Sequence, residues 1–271
     1  MYTAVMSASE VIAMLVAGAI ATVRWLLWYH RSIAVAPMLS PAGARAPLFL
    51  TPPLAAAALF AILRTYAASD VTDSPVYLAF YMVLGAGWVA AATILFPLYG
   101  LRPAVDVAQR RNPAAGVLAA GAVLGLTLAF AGANIGDGPG WWVVAFCALL
   151  STSGLFLAWG LVDWGAGVTD MVTVDRDATA AIRLASLLVA VGAIQGRAVA
   201  GDWVSGANAL GDWLDLGWPA LVLVVMEIVI GRVHAGAARR ERPSIAVLGV
   251  PPGAIYLAGA AAYILSLGWW T

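Results

Sequence analysis

The chain has no lysine, one cysteine and two histidines in 271 residues. Each shortage closes off a class of chemistry. Without lysine there is no Schiff base for retinal, which excludes a rhodopsin-like pigment. Cys147 alone supports neither a disulfide framework nor a cysteine metal site. No His or Cys pair has metal-ligand spacing, so no metal centre is expected. No Walker loop, G-x-S-x-G elbow or paired acidic motif is present, and nothing in the sequence supports an enzyme. Gly136–Gly140 forms a tight turn rather than a phosphate cradle.

Charge is scarce as well. Charged residues make up 10% of the chain and hydrophobic residues 63%, where a soluble domain carries about 25% charged. So few charges cannot cover a water-facing surface, so the surrounding solvent must be lipid. The formal net charge is zero, which argues against nucleic acid as a partner. The partners expected instead are the bilayer and, laterally, further copies of the chain or other membrane subunits.

What is present is a set of eight apolar runs: Val11–Tyr29, Leu48–Tyr66, Val76–Leu98, Gly116–Ala133, Trp141–Val162, Ala178–Ala200, Leu214–Val233 and Ala254–Trp270. About 20 apolar residues in a helix cross a bilayer core. The runs lack the period-two alternation of barrel strands. The expected fold is therefore all-α, a polytopic integral membrane bundle of about eight helices arranged as hairpins. It is expected to form one transmembrane domain over 1–271, with an N-terminal hairpin in 1–75, repeated hairpins in 76–235 and a last loop and helix in 236–271. The first run is expected to stay as a span, because residues 1–9 lack a basic segment and no small-residue cleavage site follows.

All fourteen cations are arginine. Arg31, Arg45, Arg102, Arg110, Arg111, Arg176, Arg183, Arg232, Arg239, Arg240 and Arg242 fall in or beside the intervals after runs one, three, five and seven, with Arg24 on the same side. Basic loops stay in the cytoplasm, which predicts a multi-pass protein of the inner membrane with both termini outside. Tryptophan favours the headgroup layer. Trp141, Trp142, Trp203, Trp213, Trp218, Trp269 and Trp270 cluster at the expected outer boundary, and Trp25, Trp28, Trp159 and Trp164 at the inner one.

Residues 100–112 align with 165–177 at a shift of 65, and the register continues into the following helices. Asn112 and Asp177 then stand as N-caps, accepting from free N–H groups of a first helical turn. The small residues that follow suit close helix contacts in lipid. Compositional likeness between alanine-rich helices is the competing explanation. The start formed by Asn112, Ala114, Ala115 and Gly116, given again as Asp177, Thr179, Ala180 and Ala181, resembles the YjfL-like bacterial inner-membrane family of unknown function. The resemblance covers roughly residues 76–235. It implies a membrane protein of paired helices and no particular activity. The second copy departs from the pattern, with Asp177 for Asn and Thr179 for Ala.

Glu227 is the leading candidate for chemistry. It lies roughly 14 Å along its helix from Trp218. A carboxylate at mid-membrane costs on the order of 2.5–3.5 kcal/mol, so it must face protein and be paired or protonated. It is either a proton- or cation-binding group or a structural carboxyl bonded to a neighbouring Ser, Thr or Trp. Arg64 and Arg197, near helix ends, either reach the headgroups or pair with Asp70, Asp73, Asp202 or Glu227. Gln195 is expected beside Arg197 on an outer vestibule. Ser151, Thr152 and Ser153, followed by Gly154, either open a helix into a cavity or make a close helix contact. Pro52 and Pro53 mark a kink or a first helical turn. His30 and His234 could together ligate a haem iron, although both are expected at the membrane boundary.

Two functions follow. One is a small transporter or channel-like protein built around the intramembrane carboxylate. The other is an accessory or scaffolding subunit of a larger membrane complex, with a haem-carrying subunit as a minor variant.

Overall fold

A computed structural model describes residues 6–34, 42–238 and 244–268. These are almost entirely helical, with no strand among the described residues. Eight helices are long and apolar enough to cross a membrane, over 8–32, 45–66, 75–99, 113–132, 141–166, 178–198, 219–237 and 245–266. The chain is thus a multi-pass helical membrane protein. Arg239, Arg240, Arg242, Trp269 and Trp270 lie outside the described residues.

In chain order the helices are α1 (Ala8–Ala34), α2 (Ala42–Tyr66), the single turn α3 (Ser69–Thr72) and α4 (Pro75–Ala92). Then come α5 (Pro113–Gly132), α6 (Trp141–Ala166) and the short α7 (Val168–Thr173). The last four are α8 (Ala178–Ala198), α9 (Gly206–Gly217), α10 (Pro219–Ala238) and α11 (Val250–Ser266).

The seventh span starts later than its apolar run suggests. Trp213 and Leu214 belong to α9, an amphipathic helix, and the spanning helix begins at Pro219. The eighth starts earlier. Ser244 caps a π-helical turn over Ile245–Gly249 that runs straight into α11, with prolines in its first turn. Proline is tolerated there because first-turn N–H groups have no intrahelical partner in any case. Pro52 and Pro53 lie inside α2, which continues through them.

α5 and α8 form the centre and make the largest helix contact in the molecule. Glycine is the reason. A Cβ built on Gly121 would stand 2.5 Å from the Ala185 Cα. Gly125 meets the Leu188 carbonyl, and Gly192 and Gly132 likewise abut the backbones of Gly125 and Gly196. No side chain larger than hydrogen fits these positions without separating the helices. In lipid, where burial from water gives no drive between helices, such backbone approach supplies the packing.

Around this pair stand α2, α4, α6, α10 and α11, while α1 rests on α4 with most of its surface turned outward. Ala17 makes that contact, packing against Gly87. Exposed leucines and valines on α1 and α10 are the expected coat of a protein facing acyl chains.

The connections 93–112 and 167–177 meet at one end of the bundle, where Asn112 donates to the Val172 carbonyl at 2.7 Å. The turns 133–140 and 199–205 meet at the other, where the Asp137 N–H donates to Asp202 Oδ1 at 2.8 Å. Both sides of this second meeting use glycine at positive φ, Gly136 at 106° and Gly201 at 144°. A side chain there would be strained.

Candidate functional site

Five polar side chains form one chain of hydrogen bonds where α8, α10 and α11 pack together. It starts at the arginine-rich end with Asp177. That carboxylate caps α8, its Oδ1 accepting from the Thr179 and Ala180 N–H groups at 2.7 and 3.0 Å. Its other oxygen, Oδ2, lies 2.8 Å from His234 Nε2. His234 Nδ1 lies 3.1 Å from Arg183 Nη1. Arg183 Nε lies 2.7 Å from both oxygens of Glu227. Tyr256 closes the chain, donating to Glu227 Oε2 at 2.8 Å.

Helix geometry explains why the sequence assembles these groups. Glu227 and His234 are seven residues apart on α10, two turns on one face. Arg183 lies six residues beyond Asp177, deep enough to meet Glu227 from α8. Arg183 and Glu227 are fully buried and His234 nearly so, whereas Asp177 keeps partial access to the surface.

The donor inventory gives these bonds their direction. A guanidinium only donates, so His234 Nδ1 accepts from Arg183 and its Nε2–H is given to Asp177. The ring thus bridges the Arg183 guanidinium, which faces Glu227, and the Asp177 carboxylate. The Asp177 charge is supported by the two N–H groups and the positive end of α8. Arg183 Nη1 also donates to the Leu248 carbonyl at 2.9 Å, tying in the turn before α11. Arg183 Nη2 has no partner among the described residues.

This is not a wire for proton hopping, because arginine in the middle does not release its proton. It couples its two ends by position instead. A proton on Glu227 would cancel the charge that holds Arg183. A proton on His234 Nδ1 would set two donors against each other. Either event would unseat the guanidinium from its partners on α10 and the turn before α11.

The structure corrects several expectations. Arg183 belongs within α8 as a core residue, not beside the basic loop. Glu227 pairs with it and with the Tyr256 hydroxyl, not with Arg64, Arg197 or a Ser, Thr or Trp side chain. Arg64 donates to the Thr72 carbonyl, and Arg197 occupies the last turn of α8. Both nitrogens of His234 are engaged and His30 is exposed on α1. A haem held by the two would require His234 to abandon Asp177 or Arg183. Trp159 is a core residue stacked on Tyr99 and bonded to Thr169 at 3.0 Å, not a headgroup anchor.

α6 remains helical through Ser151–Gly154. Ser151 donates to the Ala129 carbonyl of α5 at 2.9 Å, and Thr152 accepts from Trp88 at 3.0 Å. Ser153 makes no bond of this kind that bears on the site. Gly154 leaves room for Gln195, which accepts from Trp213 at 2.5 Å and donates to the Gly217 carbonyl at 3.1 Å, anchoring α9 to α8. These groups stand apart from the charged chain.

At the opposite end lies a small cavity of about 60 Å³. Asp70, Asp137, Asp202 and Asp212 line it near the surface, with Asn134 and Cys147 deeper. Among the described residues no three His, Cys, Asp or Glu groups stand close enough to hold a metal ion.

Asn112 performs its expected role, its Oδ1 accepting from the Ala114 and Ala115 N–H groups at 3.0 and 3.3 Å. No protein-family model, no curated protein and no solved structure matches the chain.

Proposed function

We propose that this protein is a small transporter or channel-like protein of the inner membrane, with Glu227 as its intramembrane working group. One observation carries the reading: among the ion pairs of the described residues, only Arg183–Glu227 has both side chains fully buried. Charges are costly in this medium. A pair of apolar residues of similar volume generally holds helices together as well or better. Retaining five linked polar groups is what a pathway that changes protonation or binds an ion requires. The aspartate-lined cavity at the far end gives a cationic species a place to enter.

The threading proposed with it keeps the arginine-rich end in the cytoplasm and both termini outside, in line with the retention of basic loops. We further propose that α4–α5 and α6–α8 are two copies of one unit, as in the paired-helix YjfL-like family. Arg111 and Arg176, 65 residues apart, are the only non-glycine residues at positive φ among those described, at 55° and 58°. The backbone bonds Asn112 N–H to Asp106 and Asp177 N–H to Met171 also match at that shift, at 3.0 and 2.9 Å.

The test is proton-coupled flux in liposomes, comparing the native chain with Glu227→Gln. The reading expects flux in the native protein and its loss in the variant. Equal flux would remove the carboxylate from the pathway.

A second reading, an accessory subunit of a larger complex, is favoured by the outlying position of α1. Purification in mild detergent separates the two: a stoichiometric partner supports the subunit, and a homogeneous homo-oligomer supports the transporter.

A further inference from the structure

A second cavity, of about 380 Å³, opens at the arginine-rich end between α1, the 3₁₀ extension of α4 and the segment after Gly100. Arg24, Arg31 and Arg102 line it together, with Trp28, Leu27 and Ile94 among its apolar walls. It is separate from the buried chain around Glu227 and does not rest on the transport reading.

Three properties of the cavity identify what would fill it. First, its cations are uncompensated. No carboxylate lines it, and no Asp or Glu among the described residues pairs with the three arginines. The neighbouring Asp106 is already taken by the Arg102 N–H at 2.7 Å and the Arg110 guanidinium at 3.2 Å. Second, donors are free. Arg24 reaches the Thr93 hydroxyl at 3.0 Å through Nη2, while its buried Nε has no partner. Third, the site is amphipathic. Arg24, Trp28 and Arg31 recur every three to four residues and so share one face of α1. That face carries guanidinium and apolar surface side by side, and α1 is the helix most open to surrounding lipid.

We propose that this cavity binds the phosphate of an anionic phospholipid, with the three guanidiniums on the headgroup and the Leu27–Ile94 wall against its glycerol and upper acyl carbons. Arginine matches phosphate oxygens in paired hydrogen bonds. Basic pockets between membrane helices hold such headgroups. A bare phosphate ion would share the polar contacts but leave the apolar wall uncovered.

The experiment uses the full chain, purified and delipidated in maltoside detergent, with thermal unfolding read against added ligand. The probes are short-chain phosphatidylglycerol, short-chain phosphatidylcholine and inorganic phosphate. Phosphatidylglycerol should raise the unfolding temperature well above the phosphatidylcholine response. Each arginine replaced by glutamine should weaken its apparent affinity roughly fivefold. Arg24→Gln/Arg31→Gln/Arg102→Gln together should weaken it roughly a hundredfold. Arg176→Gln/Arg232→Gln, at the same end but outside the cavity, should leave it unchanged. If the triple variant does not fold, Arg102→Gln alone, on the exposed loop, carries the comparison. A lipid response that survives loss of the cavity arginines, or that falls equally in the control variant, overturns the site. An equal response to phosphatidylcholine does the same. A response to inorganic phosphate matching that to phosphatidylglycerol overturns the lipid and leaves a soluble phosphate as the ligand.

Discussion

Asn112 and Asp177 hold the same place in two successive helix junctions and differ by an amide against a carboxylate. Each caps a central helix with one side-chain oxygen. The remaining half of each side chain points to a different world. The Asn112 amide nitrogen donates to the Val172 carbonyl, closing a neutral contact between two turns. The second Asp177 oxygen takes the His234 ring and so begins the charged chain that ends at Tyr256. One junction is a fastening, and the other is a fastening that also carries charge into the bilayer. The lesson is that a single exchange of nitrogen for oxygen at a cap decides which helix can be coupled to titrating groups.

The comparison breaks most severely at the far end of that chain. Glu227→Ala leaves Arg183 charged, buried and uncompensated, and should cost about 3–5 kcal/mol of stability. Reversible unfolding in mixed detergent micelles measures it. Asn112→Asp should be nearly as harmful, at about 3 kcal/mol, because it turns a carboxylate toward two backbone carbonyls in a fully buried position. The reciprocal change, Asp177→Asn, should be mild. Its one oxygen keeps the cap, but its amide nitrogen then faces the His234 Nε2–H; the partly exposed position lets water take up that mismatch, so about 1–2 kcal/mol is expected. Near-equal losses for the two exchanges would show that the junctions are equivalent after all. Tyr256→Phe removes one hydrogen bond to Glu227 and leaves no donor unpaired, so it should cost about 1 kcal/mol, the smallest of these effects.

Much of the architecture was legible because lipid imposes a simple rule. Long apolar runs are helices, and the described connections fall where charge and glycine interrupt them. The starts of spans seven and eight were not, since α9 is apolar on one face and Pro251 and Pro252, which stand in the first turn of α11, precede the run that begins at Ala254. Glu227 was visible as a lone carboxylate in a run of aliphatic residues. Its partner was not, because Arg183 lies only six residues past a basic loop and counting charge assigns it there. Under the proposed 65-residue repeat Arg183 falls opposite Leu118, an aliphatic position that is fully buried. Tyr256 and the double engagement of His234 depend on how α10 and α11 rotate against α8, and hydropathy carries no information about rotation.

The claim that these charges exist for function, and not for cohesion, is tested most directly by removing both at once. Arg183→Met with Glu227→Met keeps volume and leaves no orphan charge, so the helices should stay packed. Reconstituted in liposomes at matched protein content, this double variant is predicted to show no proton-coupled flux above that of empty vesicles. Flux equal to that of the native chain would contradict the account and make the pair a structural tie.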